Sequence, residues 1–254
     1  MSVPIPILYE ESHFLIVDKP AGIFSQAPPG IESVQERLIE QLKQRDEHHG
    51  KPFVGLPHRL DRGTSGVLLI ARNQRALARF GQQFQSRKVG KYYLAVVAGD
   101  ASSVDNDWQD YLRKIPDHPL SEIVPSHASD GKLAKLSVRI LASSRAKSLL
   151  AVRLHTGRMH QIRVQSASRG LPILGDKVYG AAAITEPGVR KRHFDSETPI
   201  ALHALRLEFR HPQNAKLMSC TAPPPDTFRE FASGCWTELD AIVKQSMHDQ
   251  HVAW

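Results

Sequence analysis

Cysteine is nearly missing: Cys220 and Cys235 are the only two in 254 residues, and no CxxC pair occurs. A disulfide framework and a thiolate metal site are not expected from so few, and both thiols read as reduced. No apolar run reaches the ~18 residues that a membrane-spanning helix needs. Met1–Pro6 does not begin a signal peptide, since no basic region leads into a long apolar stretch. The expected location is the cytoplasm. Neither GxGxxG nor a Walker sequence is present, and Gly63-Thr64-Ser65-Gly66 is not a GxSxG elbow. Thirteen histidines invite a metal reading, but no HExxH or paired Cys/His set supports one. No metal and no cofactor are therefore expected.

What is there is a chain long enough for one large domain or two small ones, with 41% apolar residues to fill a core. Lys and Arg outnumber Asp and Glu 33 to 26, a net charge of +7. Such a balance fits a polyanionic partner, although many soluble proteins are mildly basic for no such reason. Arg59, Arg62, Arg72, Arg158, Arg163, Arg169 and Lys177 fall in or beside the segments singled out below, and Arg190-Lys191-Arg192-His193 falls in a polar loop from Ala181 to Pro199.

Periodicity predicts the elements. Ile7–Glu10 and Phe14–Val17 read as short strands. Val34, Leu38 and Leu42 recur at helical spacing. Val67–Ala71 reads as a buried strand, after which Asn73 caps a helix carrying Leu77, Phe80 and Phe84. Lys91–Val97 is β-rich. From Asp100 to Lys132 the chain reads as loop, with one short strand near Tyr111-Leu112. Leu133–Ala142 and Leu149–Leu154 form a strand pair, and a helix follows Thr156-Gly157 with Ile162 and Val164 inward. Ile200–Phe209 pairs with Leu217–Thr221, Asp226 caps a helix, and Glu238–Met247 is helical. Strands and helices mix without regular βαβ alternation, so the class is α+β.

His58-Arg59-Leu60-Asp61-Arg62-Gly63-Thr64-Ser65-Gly66 places one carboxylate between two arginines, directly before a buried strand. A lone Asp in a loop is usually a turn former or a cap. Five further segments change its weight: Val17-Asp18-Lys19-Pro20-Ala21-Gly22, Lys91–Gly99, Leu154-His155-Thr156-Gly157-Arg158-Met159-His160-Gln161-Ile162-Arg163-Val164, Pro172–Gly180, and Leu202-His203-Ala204 with His211-Pro212. In this order they resemble the motifs of the RluA-type pseudouridine synthases, from HRLD-x-x-TSG to HQIRV and GD-x-x-YG. The resemblance runs from about Ile7 to about Phe231. It implies a central, largely antiparallel mixed sheet flanked by helices. It also implies one catalytic domain over residues 1–254, without the S4-type RNA-binding module of many relatives.

The resemblance implies an isomerase that converts uridine in tRNA or rRNA to pseudouridine. Asp61 would be the catalytic carboxylate, as nucleophile or as base. Arg163 would be its counter-charge and Tyr93 the ring lying on the uracil. Ile162 would form the opposite apolar wall. Arg62 would contact the RNA, and Arg158, Arg169 and Lys177 would hold its backbone. Arg59 would either fill the gap left by a flipped base or touch phosphate. The implied partner is an RNA stem-loop, met by a monomer with no obligate protein partner. Two rival readings remain: a non-catalytic RNA-binding or ribosome-assembly factor, and a hydrolase pairing Asp61 with His58. Met159 and Gln165 stand where the family usually has Thr and His, and Phe24-Ser25 replaces Val-His. These departures bear on RNA contacts and target choice.

Overall fold

Alternation along the second and third strands creates two cores at once. In a computed structural model that describes residues 3–46, 50–180 and 198–248, β1 (Ile7–Glu10) pairs with β2 (Phe14–Lys19), and β2 with β3 (Ser65–Ala71), all antiparallel. Leu15, Val17, Leu68 and Ile70 point into the larger core; Phe14, Ile16, Val67, Leu69 and Ala71 point into the smaller one. The period of two alone assigns these faces. In the smaller core the rings of Phe14, Phe80 and Phe209 pack edge to face, with centroids 5.6–5.7 Å apart.

The larger core is covered by α1 (Val34–Arg45), which buries Val34, Leu38 and Leu42 and is capped by Ser33 accepting from the Glu36 amide. The smaller lies under α2 (Gln74–Gln85), where the Asn73 side chain accepts from the Ala76 amide at 2.8 Å. Both helices form where the apolar spacing and the caps predict them.

Next come β4 (Gly90–Ala98), β5 (Asp107–Lys114), β6 (Ser121–Val124), β7 (Lys132–Ser143), β8 (Lys147–Leu154), α3 (Gln161–Ser168), β9 (Leu202–Arg210) and β10 (Leu217–Thr221). Two helices close the described chain, α4 (Asp226–Phe231) and α5 (Trp236–His248). The ten-stranded sheet runs β1-β2-β3-β9-β4-β8-β7-β5-β6, with β10 on β9. Among the described strands only β3 and β9 pair in parallel. The expected α+β class and largely antiparallel sheet are what is found. No described helix is long and apolar enough to cross a membrane.

Two expectations need correction. The stretch read as loop with one short strand is the β5–β6 hairpin. It was hard to see because it is an edge: Trp108, Leu112, Ser121 and Val124 are buried, while Asp, Gln, Arg, Lys and Glu occupy most of the rest. Pro225, not Asp226, is the cap of α4, and Asp226 is its first helical residue. The basic Arg190-Lys191-Arg192-His193 segment lies outside the described residues.

The parallel β3–β9 contact brings two distant motifs together. Gly66, at φ +111°, sits where a Cβ would meet the Ala204 carbonyl at 2.2 Å, so only glycine fits. Beside it the Ser65 hydroxyl lies 2.9 Å from His203 Nδ1. The other ring nitrogen of His203 lies 3.0 Å from the Ala222 carbonyl, which can only accept. Nε2 therefore carries the proton and Nδ1 accepts from Ser65. Burial pushes His203 down to about 4, so this tie is a neutral one.

Candidate active site

The segment from His58 to Thr64 is held open by a second loop, residues 19–25. Lys19, fully buried, donates its three ammonium protons to the carbonyls of Pro20, Arg62 and Thr64 at 2.7–3.1 Å. The Ser25 hydroxyl donates to the Leu60 carbonyl and accepts from the Leu60 amide, 2.8 and 3.0 Å away. Gly22 and Arg62 exchange two further bonds, and the Arg62 guanidinium lies 4.5 Å over the Phe24 ring. Phe24 and Ser25, departures from the resembled motif, thus clasp the loop that carries Asp61.

Asp61 faces a cavity of about 740 Å³. Arg163 donates from Nη1 to Asp61 Oδ2 at 3.1 Å. Its Nε and Nη2 hold Asp176 at 2.7 and 3.0 Å. One guanidinium on α3 therefore spans two carboxylates, an arrangement suited to its planar fork. Asp176 is also gripped by the Val178 and Tyr179 amides. His160 Nε2 stands 3.9 Å from Asp61 Oδ1. On its other side, Nδ1 lies 3.0 Å from the Tyr179 hydroxyl, which already accepts from the Ser121 amide.

Burial alone would raise the Asp61 carboxyl. The charges of His160, Arg163 and Lys19 outweigh it, and the group is held below the ordinary carboxylate value. His160 is itself lowered by burial, so the permanent counter-charge near neutral pH is Arg163. Lys19 is pushed down to about 7 by burial, against the pull of Asp61 and Asp18. Tyr93 is raised by burial and by the Asp61 charge.

Asp61, Arg163, Tyr93, Ile162, Arg59, Arg62 and Arg158 all line this one cavity. They differ in freedom. Arg59 is exposed. Arg62 is committed to Phe24 and Gly22, and Arg158 ties its Nε to the Leu133 carbonyl at 3.0 Å. Arg169, expected to hold RNA backbone, instead donates to Asp110 at 2.9 Å and packs over Trp108. Gln165 is fully buried and bonded to Asp110 and Gln161, so this departure from the motif faces inward rather than toward RNA; Met159 does line the cavity. The pairing of Asp61 with His58 is not found. His58 accepts the Leu69 amide at 3.0 Å, stacks on Phe84, and is pushed down to about 3 by burial.

Five residues carry the site without having been assigned a part in it: Lys19, Ser25, His160, Asp176 and Tyr179. All lie inside the quoted motifs or beside them, and that position was the only signal available. Among the described residues, no group of three or more His, Cys, Asp or Glu side chains is placed to hold a metal ion.

The profile of a family described as RNA pseudouridylate synthase matches residues 13–168. The chain belongs to this family. Among relatives, the ribosomal large subunit pseudouridine synthase D of Xanthomonas campestris pv. campestris is 36% identical over 238 residues, 91% of this chain and 69% of that protein. An uncharacterized RNA pseudouridine synthase of Aquifex aeolicus is 34% identical over 242 residues, 93% and 74% of the two chains. The solved structure of human RNA pseudouridylate synthase domain containing 4 shares the fold, with a TM-score of 0.70 over 92% of this chain and 93% of that one at 20% identity. This pseudouridine synthase is thus an isomerase whose substrate is RNA.

Proposed function

We propose that this synthase isomerises a uridine of large-subunit ribosomal RNA, with Asp61 as the reacting carboxylate. The observation that carries the reading is the Asp61–Arg163 contact of 3.1 Å at the wall of a cavity also lined by Tyr93. The relatives named for the large ribosomal subunit supply the substrate.

The reaction breaks the bond from C1′ to N1 of uracil and forms one from C1′ to C5. N1 gains a proton and C5 loses one, so nothing is oxidised, reduced or consumed. Whether a carboxylate adds to C1′ or removes a ribose proton, it must be ionised. Arg163 keeps it so in a half-dry cavity. Tyr93 offers its ring to the uracil face and Ile162 an apolar wall. Arg59 enters the space the flipped base leaves, offsetting an unstacking cost of a few kcal/mol. Arg62 and Arg158 line the path of the strand. The protein acts as a cytoplasmic monomer on a stem-loop, without a protein partner.

Unmodified large-subunit rRNA and tRNA transcripts, each incubated with the protein and mapped for pseudouridine, test the substrate. Modification of the rRNA at one or a few positions is expected. Modification of tRNA alone overturns the ribosomal reading, and no pseudouridine in either overturns self-sufficiency. An Asp61→Asn variant that keeps substantial turnover removes Asp61 from its role.

A further inference from the structure

A second groove opens beside the active cavity and shares Arg87, Lys91, Leu154 and His155 with it. Lys88 and Arg153 extend its lining. Lys91 and Tyr93 are two residues apart on β4 and both face the cavity. Alternate residues of a strand lie about 7 Å apart, comparable to the reach from a base to a neighbouring backbone phosphate.

Three cations meet at this junction. Lys91 is half-buried, and among the described residues its Nζ reaches only the Thr156 carbonyl, at 3.3 Å. Arg158 uses its Nε on the Leu133 carbonyl. Arg87 stands exposed in the turn after α2, in a left-handed conformation with φ +57°. Among the described residues no carboxylate forms an ion pair with Arg87, Lys91 or Arg158. Glu208, which also lines the groove, is taken up by Arg206 and by the Tyr92 hydroxyl. A side chain at Gly157 would begin 3.4 Å from Lys91 Nζ, so the glycine keeps that ammonium open. Burial, with the neighbouring Arg87 and Arg158, pushes Lys91 down to about 8. Like charges brought together without a counter-ion cost free energy, which a bound anion would return.

We propose that Lys91, Arg87 and Arg158 form a phosphate seat, and that the RNA strand leaving the active cavity runs over it into the second groove. The ligand class is a nucleic-acid phosphodiester; base identity plays no part. This inference rests on RNA being drawn into the Asp61 cavity. It assigns a direction to the strand that the catalytic residues do not.

Salt titration of binding tests it, with a short fluorescein-labelled oligouridylate as the probe. Lys91→Gln and Arg87→Gln are each expected to weaken binding about ten-fold, the loss of one charge-assisted contact. Each should flatten the slope of log Kobs against log[salt] by about 0.7, one single-strand phosphate. The double variant should lose less than the sum, because both side chains serve one phosphate. Lys43→Gln, an exposed cation on α1, should leave the slope unchanged. On unmodified large-subunit rRNA, the loss should fall on the RNA concentration needed for half-maximal rate. Slopes of Lys91→Gln and Arg87→Gln equal to wild type overturn the seat, as does a fully additive double variant. Arg87 lies on the surface, so its variant stays informative even where Lys91→Gln folds poorly. A wild-type protein that binds the probe but forms no pseudouridine overturns the substrate reading, and the slopes still decide the seat.

Discussion

Asp61 and Asp176 share one arginine and are otherwise opposites. Asp176 has a side chain 1% exposed and accepts from Arg163 Nε and Nη2 and from the amides of Val178 and Tyr179. Asp61 has a side chain 27% exposed and one hydrogen bond from the same guanidinium, with His160 3.9 Å away. Four donors saturate the first carboxylate and fix it. The second keeps lone pairs directed at a cavity. A carboxylate that the fold uses up and one that it leaves open to a cavity are thus distinguished here by how much of their hydrogen-bonding capacity the protein uses.

The largest expected effect sharpens that contrast. Asp61→Asn should lower single-turnover pseudouridine formation by on the order of 10³-fold or more, with a smaller loss of stability than Asp176→Asn. A variant that loses as much stability as Asp176→Asn while keeping its rate would put Asp61 in the same structural class as Asp176.

Arg163→Ala should come next, because it strips both carboxylates at once. Breaking a buried pair costs roughly 3–5 kcal/mol, and denaturant unfolding should report a loss of that order together with a steep fall in rate. Arg163→Lys should recover part of the stability and little of the rate, since a point charge cannot replace the fork. Full recovery by lysine would show that charge alone is at work.

Asp176→Asn should invert the Asp61→Asn result. A stability loss of about 3 kcal/mol is expected, with a smaller fall in rate that arises through a misplaced Arg163. A rate loss matching that of Asp61→Asn would break the comparison.

A pH series adds a weaker discriminator. Against the effect of burial, the charges of His160, Arg163 and Lys19 hold folded Asp61 below the ordinary carboxylate range. The folded protein therefore binds fewer protons than the unfolded chain in that window. Its stabilisation is present above the ordinary carboxylate range and lost as pH falls through the depressed value. The acid unfolding curve of Asp61→Asn should be flatter there, and equal curves would contradict the depression.

Tyr179→Phe should have the smallest effect. It removes the hydroxyl between Ser121 and His160, worth about 1 kcal/mol in thermal stability. A large loss of rate at unchanged stability would give Tyr179 a part in the chemistry.

Much of the framework was legible before any coordinates. Alternation in Phe14–Val17 and Val67–Ala71, helical spacing through Val34, Leu38 and Leu42, and the Asn73 cap are local signals, and each led to the right element. Of the β5–β6 hairpin only the middle of β5, near Tyr111-Leu112, was legible; the rest was missed because an edge pair shows too few apolar residues to alternate visibly. In the site, Asp61, Arg163 and Tyr93 stood out through motif order. Lys19 and Ser25 did not, since a buried lysine and a clamping serine look like surface residues in sequence.

Periodicity, capping and motif order act within short windows, so the class of fold, the positions of its central strands and two main helices, and the catalytic candidates can be read along the chain. Which carboxylate Arg163 leaves open to the cavity follows from the folded arrangement alone. Arg163 lies 102 residues from Asp61 and 13 from Asp176. The difference between them comes from backbone amides, burial and a cavity wall, and these exist only once the β3–β9 contact and α3 have brought distant segments together.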